Sequence, residues 1–137
     1  MPTRARTAAN IMAEVPRVVK GSSLTQSGGQ TAGMVRMNAV HGMSDRICSL
    51  VMTAEPHTSS VVHHHGDQDT VVYAVRGRGA ILSGPNGSNR HELAPGDFAF
   101  IPAWAEHQEV NDGEELVLVV MRTGREPETC SLDGWVG

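Results

Sequence analysis

The stretch Val61-Val62-His63-His64-His65-Gly66-Asp67-Gln68-Asp69-Thr70 decides how the rest of the chain is interpreted. Successive side chains point to opposite faces of a β-strand, so His63 and His65 share one face while His64 points to the other. Two imidazoles on one face can bind the same metal ion. The stretch therefore predicts a strand that contributes two ligands to a metal site.

A third imidazole is available at His107, which follows the predicted strand Asp97–Ile101 after a short loop. Two neighbouring strands inside a narrow barrel would bring His107 against the first pair of histidines. Three neutral imidazoles suit one divalent transition metal ion, Fe²⁺, Mn²⁺, Zn²⁺ or Ni²⁺, and leave positions where a substrate oxygen or dioxygen can bind. The other candidates have no partner at ligand spacing and are interpreted as structural or surface residues: His41, His57 and His91.

The pattern outside this stretch is all-β. Short apolar or alternating runs bounded by Gly, Pro, Asn and Asp recur after residue 15, and helical periodicity is scarce. Many short strands at close spacing favour a barrel or a sandwich over a flat sheet. The predicted strands are Arg17–Lys20, Ala32–Ala39, Arg46–Thr53, Ser59–His65, Thr70–Arg76, Gly79–Ser83, Arg90–Leu93, Asp97–Ile101, Glu106–Val110 and Glu115–Arg122.

The length of 137 residues suits one domain. We predict a flexible N-terminal arm over residues 1–30, a barrel over 31–125 and a C-terminal tail over 126–137. Glu115–Arg122 is apolar on both faces, so one face lines the interior and a second sheet layer or a dimer partner covers the other. Cys48 and Cys130 are too few for a disulfide framework and are interpreted as plain thiols.

The charge balance argues against nucleic acid as a partner. The formal net charge is −4, and the basic residues are scattered along the chain. The N-terminus lacks the apolar core of a signal peptide, and no run of eighteen apolar residues occurs. We therefore expect a cytoplasmic protein that does not cross a membrane.

Residues 96–111 resemble the second motif of the cupin superfamily, which is Gly, five residues, Pro-x-Gly, two residues, His, three residues, Asn. Every spacing fits at Gly96, Pro102, His107 and Asn111, with Trp104 in place of the middle glycine.

The first cupin motif contains His-x-His, a glutamate and a glycine, and it fits at His63, His65 and Gly77. Together the two motifs cover about residues 55 to 122 and identify the chain as similar to the small single-domain cupins. The resemblance implies a double-stranded β-helix, also called a cupin or jelly-roll barrel, with a metal inside it and commonly a homodimer.

The chain departs from the family at the glutamate, because the expected position is Thr70 and a hydroxyl is a poor ligand for these metals. Gln68 shares the parity of Thr70 on a regular strand and is the first substitute. Asp69 is the stronger ligand but needs a bulge to turn inward. Water is the third alternative.

Other residues near the histidines are candidates for catalysis. Glu109 shares the face of His107 by alternation and could orient an imidazole or act as a base, although Glu109 and Glu106 could also be solvated acids at the rim. Trp104 could cover the barrel mouth or stack on a planar substrate, or pack between subunits. Arg36 and Arg46 could reach a substrate carboxylate. Barrel lining or core is predicted for Phe98, Phe100, Val72, Ala74, Leu118 and Val120.

These observations favour a metal-dependent cupin enzyme that acts on a small oxygenated organic molecule, either a dioxygenase or a non-redox lyase or isomerase. The alternative is a binding or sensory module in which the metal is structural. A metal-free epimerase-like cupin is disfavoured by the histidine set.

Overall fold

The computed structural model describes residues 15–27 and 31–136 of the chain. Within them lie twelve β-strands and one short 3₁₀ helix, Gly21–Ser23. The strands are β1 (Thr25–Gln26), β2 (Met34–Asn38), β3 (Ile47–Ala54), β4 (Thr58–Ser59), β5 (His63–His64), β6 (Thr70–Arg76), β7 (Gly79–Ser83), β8 (Asn89–Leu93), β9 (Phe98–Ile101), β10 (His107–Asn111), β11 (Leu116–Thr123) and β12 (Cys130–Ser131).

The strands form two antiparallel sheets, which confirms the all-β prediction. One sheet has the order β1-β2-β3-β11-β6-β9, and the other has the order β12-β5-β10-β7-β8 with β4 paired to β10. Non-consecutive neighbours such as β11 and β6 show that the chain passes repeatedly from one sheet to the other. The apolar core lies between the inner faces of the sheets and includes Met34, Leu50, Met52, Val72, Ala74, Ile81, Leu93, Ile101, Leu116, Leu118 and Val120.

The predicted strands agree with the structure in all but a few places. β6 and β7 have the predicted bounds, but no strand forms at Arg17–Lys20. The predicted strand Ser59–His65 is divided into β4 and β5. The Ser60 hydroxyl oxygen lies 2.9 Å from the carbonyl oxygen of the neighbouring Val61, and such local side-chain contacts compete with a strand ladder. Two-residue strands such as β1 and β12 carry no sequence pattern and were not predicted.

Phe98 and Phe100 were predicted as barrel lining or core; they are not core residues, although both contribute to the wall of the cavity that reaches His107. They are 68% and 64% exposed, whereas Ala99 and Ile101 face the core. Strict alternation along β9 allows only one of these pairs to point inward. The other four residues predicted as barrel lining or core are buried, which confirms that part of the prediction: Val72, Ala74, Leu118 and Val120.

Two connections depend on left-handed backbone. A Cβ atom at Gly77 would lie 2.1 Å from the carbonyl oxygen of Glu115, and the φ angle is +80°, so only glycine fits this motif position. The β7–β8 hairpin turns through Asn86 and Gly87, which have φ angles of 53° and 73°. Asn and Gly tolerate such backbone angles, so the sequence Gly84-Pro85-Asn86-Gly87 suits this turn.

Parts of the predicted arm and tail are paired into the sheets. β1 pairs with β2, and β12 pairs with β5. Residues 1–14 and 28–30 of the arm lie outside the described residues. Cys48 and Cys130 are free thiols, as predicted. Across the part of the chain that the structure describes, no helix is long and apolar enough to cross a membrane.

Candidate metal centre

Four buried side chains converge inside the second sheet: His63, His65, His107 and Glu109. Their potential ligand atoms all lie within 4.8 Å of one another. β5 and β10 are antiparallel neighbours, and His63 is paired directly with His107. Adjacent strands thus bring together histidines that are 44 residues apart in the sequence, as the two motifs predicted.

Hydrogen bonds orient the imidazoles of His63 and His107. The Nδ1 atom of His63 donates to the carbonyl oxygen of Val61 at 2.8 Å, and that of His107 donates to the carbonyl oxygen of Ala105 at 2.9 Å. A ring that donates from Nδ1 carries its lone pair on Nε2. Both Nε2 atoms point toward the centre of the cluster, so the rings are held in the tautomer that binds a metal.

Thr70, at the position of the family's glutamate, orients the third imidazole. Its hydroxyl lies 2.8 Å from Nδ1 of His65, and the side chain is fully buried. The hydroxyl therefore occupies the place that backbone carbonyls take behind the other two rings. Because its hydroxyl contacts Nδ1 of His65 and not Nε2, Thr70 is placed to orient this imidazole.

Glu109 supplies the carboxylate of the cluster. Its Oε2 atom is 3.3 Å from Nε2 of His63, and its Oε1 atom is 3.5 Å from Nε2 of His107. Oε2 also accepts a hydrogen bond from the Ser60 hydroxyl at 3.0 Å. The residue is 8% exposed, so the interpretation as a solvated rim acid was wrong, whereas its predicted place on the face of His107 is confirmed.

The electrostatics favour an ionised Glu109. Burial alone would raise the pKa of this carboxyl, but the adjacent imidazoles of His63 and His107 hold it well below its usual range. Burial alone would lower the pKa of His63, and the carboxylate of Glu109 reverses this and raises it. Burial, followed by the positive charge of Arg122, lowers the pKa of His65 to about 2. His65 is therefore a neutral ligand at any physiological pH.

Gln68 and Asp69, the two predicted substitutes for the glutamate, lie elsewhere. The amide of Gln68 donates to the carbonyl oxygen of Glu126 at 2.7 Å and accepts from the N–H of Glu128 at 2.9 Å. Asp69 accepts from the N–H of Ala103 at 3.0 Å. The parity argument for Gln68 failed because residues 66–67 form a turn between β5 and β6, so the strand is not regular there.

The cluster fits a divalent transition metal ion. The Nε2 atoms of His65 and His107 are buried and have no hydrogen-bond partner among residues 15–27 and 31–136. Buried polar atoms are nearly always satisfied, and a metal ion would satisfy both. Imidazole and carboxylate ligands suit the predicted Fe²⁺, Mn²⁺, Zn²⁺ or Ni²⁺.

A cavity of about 470 Å³ reaches the cluster at His107. Its walls are mainly apolar and include Ile81, Leu93 and Ile101, whereas Ser83, His91, Glu92 and Glu106 add polar groups. A small organic molecule in this cavity would contact the centre directly.

Trp104 is not part of the cavity wall. Its side chain is 64% exposed, and its ring centroid lies 5.4 Å from that of His64 on the outer side of the loop. His64 in turn accepts a hydrogen bond from the N–H of Gly66. The structure therefore does not bring Trp104 to the centre, and the predicted role in contact with substrate has no geometric support.

The comparisons with known proteins agree with this fold. No curated protein matches the chain. The sequence profile described as the cupin domain matches residues 50–122. Among solved structures, the polyketide cyclase RemF from Streptomyces resistomycificus is 17% identical, with a TM-score of 0.71 over 86% of each chain. KdgF from Halomonas sp. is 16% identical, with a TM-score of 0.68 over 82% of this chain and 96% of that one.

A third solved structure names the architecture. An uncharacterized conserved protein with a double-stranded β-helix domain from Klebsiella pneumoniae is 16% identical, with a TM-score of 0.65 over 77% of this chain and 89% of that one. At such identities the similarity shows the fold alone. The predicted double-stranded β-helix is confirmed.

Proposed function

This chain belongs to the cupin family, and on that premise we propose that it is a metal-dependent enzyme acting on a small oxygenated organic molecule. The clustered histidines and Glu109 would hold the ion. One observation carries the proposal: the three Nδ1 atoms are each hydrogen-bonded, and the Nε2 atoms converge beside a carboxylate at the end of a cavity. Such preorganisation supports an accessible metal site.

The ligand set differs from the one expected from the sequence. Glu109 adds a negative charge to three neutral imidazoles, so the site would carry a lower net charge than an all-histidine set. A divalent ion bound here would supply Lewis acidity or a binding position for dioxygen. The residues around it orient the imidazoles, keep Glu109 ionised and exclude bulk water.

The reaction is either a dioxygenation or a non-redox lyase or isomerase step. RemF is named as a polyketide cyclase, but at 17% identity this gives the present chain no activity. Oxygen uptake by anaerobically purified, iron-loaded protein with diketones, phenols and hydroxy acids separates the two reaction classes. Turnover without oxygen uptake favours the lyase or isomerase. Metal binding without turnover of any compound favours the binding module.

The metal centre is tested by elemental analysis of purified variants. We expect about one equivalent of metal in the wild type and less than a tenth of this in His63→Ala and His107→Ala, because each substitution removes a ligand. His91→Ala is the matched control, since His91 is outside the cluster, and should keep the full content. Full metal content in both ligand variants would refute the proposal.

We also propose that the protein is a homodimer, as the family resemblance implies. The outer face of the first sheet carries a row of exposed apolar side chains in register, Phe100, Val71 and Met121 on β9, β6 and β11. Contiguous exposed apolar surface commonly marks an interface. Light scattering should give a dimer mass for the wild type and a monomer mass for Phe100→Lys, while Val18→Lys on the exposed N-terminal segment should have no effect.

A further inference from the structure

The cavity beside His107 lies where the two sheets end. β9 is the terminal strand of one sheet and β8 is the terminal strand of the other, and both strands contribute to the cavity wall. An apolar cavity of about 150 Å³ can hold benzene. The volume of about 470 Å³ next to His107 therefore admits a compound with two fused rings.

The wall of this cavity is apolar where each of the two sheets contributes to it. Leu93 and Ile101 are buried, and Ala99 packs against the same core. Phe98 and Phe100 are exposed but also contribute to the wall. Aromatic rings favour offset or edge-to-face contact with other aromatic rings. The wall therefore suits an apolar compound, and above all an aromatic one.

The charged groups at the wall disfavour an anion. Of the described residues that line the cavity, none is a lysine or an arginine, whereas Glu92 and Glu106 carry carboxylates. Arg90 is paired with the carboxylate of Glu92 but does not line the cavity. A carboxylate that leaves water without a cationic partner carries a large desolvation cost. The part of a ligand that fills this cavity should therefore be uncharged.

One hydrogen-bonded pair gives the cavity a polar contact point. The Nε2 atom of His91 lies 2.8 Å from the Oγ atom of Ser83, and both residues line the cavity. His91 is the register partner of the buried Ile81, so the two side chains share the inner face of the sheet. Ser83 is the register partner of His107 on the next strand. The pair therefore lies beside the candidate metal centre, on the same face of the sheet.

The contact with Ser83 uses Nε2 of His91 and leaves Nδ1 for a ligand. A neutral imidazole donates from one nitrogen and accepts at the other, and a hydroxyl group both donates and accepts. A hydroxyl group on the ligand can therefore bond to Nδ1 whichever nitrogen carries the proton. A methyl group of similar size cannot. His91 is thus suited to recognise a hydroxyl group.

We propose that the substrate is an uncharged aromatic compound with a hydroxyl group, and that His91, held in place by Ser83, binds this hydroxyl. The aromatic ring packs between the apolar residues of β8 and β9. His91 is then a substrate-binding residue, and Ser83 is a positioning residue. That this compound is the substrate rests on the proposed metal-dependent function, whereas its binding rests only on the side chains that line the cavity.

Equilibrium dialysis of the full-length protein, metal-free and Mn²⁺-loaded, with 2-naphthol and 2-methylnaphthalene tests the role of His91. The two compounds differ in one hydroxyl or methyl group, so the change in the ratio of their affinities on substitution reports the hydrogen bond and cancels changes in apolar contact. In His91→Phe this ratio should shift by about fivefold or more toward 2-methylnaphthalene, because the hydrogen bond is lost. His91→Gln keeps a donor and an acceptor and should retain part of the preference for 2-naphthol.

Two further variants complete the series. Ser83→Ala should shift the ratio in the same direction by a smaller factor, because the ring of His91 loses its partner at 2.8 Å. His57→Phe is the matched control, since His57 is exposed and outside this cavity, and should keep the ratio of the wild type. The anion 2-naphthoate should bind the metal-free wild type about tenfold or more weakly than 2-naphthol, because no cationic side chain of the wall compensates its desolvation.

Each comparison can overturn the proposal. Equal affinity of the metal-free wild type for 2-naphthoate and 2-naphthol would exclude selection of an uncharged compound, whether or not a variant folds. An unchanged ratio in folded His91→Phe would exclude His91 as the hydroxyl contact. Metal content is measured on the same samples. An unchanged ratio with intact metal content refutes this inference alone, whereas His63→Ala and His107→Ala variants that keep their metal refute the proposed function.

Discussion

The two segments that resemble cupin motifs depart from the family in different ways. Residues 96–111 keep every spacing and place Trp104 where a glycine is expected. Residues 63–77 keep the histidines and Gly77 but place Thr70 where a glutamate is expected. The first departure leaves the metal centre untouched, since Trp104 lies outside it. Thr70 at the position of the family's glutamate removes a potential metal ligand, and the carboxylate of Glu109 lies in the cluster instead.

This difference shows that a side chain joins the cluster because of where the folded barrel places it, and not because of its position in a sequence motif. The inner faces of β5, β6 and β10 surround one point, so a carboxylate can approach it from more than one strand. Thr70 instead contacts Nδ1 of His65 through its hydroxyl and orients that imidazole. A hydroxyl that cannot bind the ion well can still fix the imidazole that does.

The largest effect on metal affinity is expected from the substitution Glu109→Gln. If Glu109 replaces the family's glutamate, this variant should bind Mn²⁺ about 100-fold more weakly than the wild type, because it loses a charged ligand and an amide is a poorer one. Isothermal titration measures the affinity. Glu106→Gln is the matched control, since Glu106 accepts a hydrogen bond from the N–H of Val136 and lies outside the cluster. Equal Mn²⁺ affinity in Glu109→Gln and the wild type would mean that Glu109 is not a ligand.

A smaller effect is expected from Thr70→Val, which keeps the shape of the side chain and removes the hydroxyl. The Nδ1 atom of His65 then loses its partner at 2.8 Å, and the ring is less firmly oriented. Such losses typically weaken metal binding about tenfold or more. Thr70→Ser should restore most of the affinity because it restores the hydroxyl. If Thr70→Val and Thr70→Ser bind metal equally, the hydroxyl does not orient His65.

The sequence predicted the fold and the histidines because both follow from local rules. Alternation pairs His63 with His65, and motif spacing adds His107. Glu109 was placed on the correct face, but its distance from His63 depends on the pairing of β5 with β10, which no local pattern reveals. Gln68 was misplaced because the turn at residues 66–67 breaks the alternation.

Charge inside the barrel was equally hard to predict. Arg36 and Arg46 look alike in the sequence, and both were candidates for contact with a carboxylate. Only Arg36 is buried, since it lies on the inner face of β2, whereas Arg46 is exposed just before β3 begins. Burial is decided by the register of the sheet, which requires the whole fold.

The smallest effect concerns Trp104, whose φ angle is 66°. A left-handed backbone costs a residue with a Cβ atom about 1–2 kcal/mol, and glycine escapes this cost but loses about 0.4–1 kcal/mol through the freedom of its unfolded chain. Trp104→Gly should therefore be about 1 kcal/mol more stable to urea than Trp104→Ala, and both should keep the metal content of the wild type because the indole contacts His64 and not the cluster. Comparing the two variants with each other cancels the loss of the indole. If both variants lost their metal, Trp104 in residues 96–111 would support the metal centre, as Thr70 does in residues 63–77.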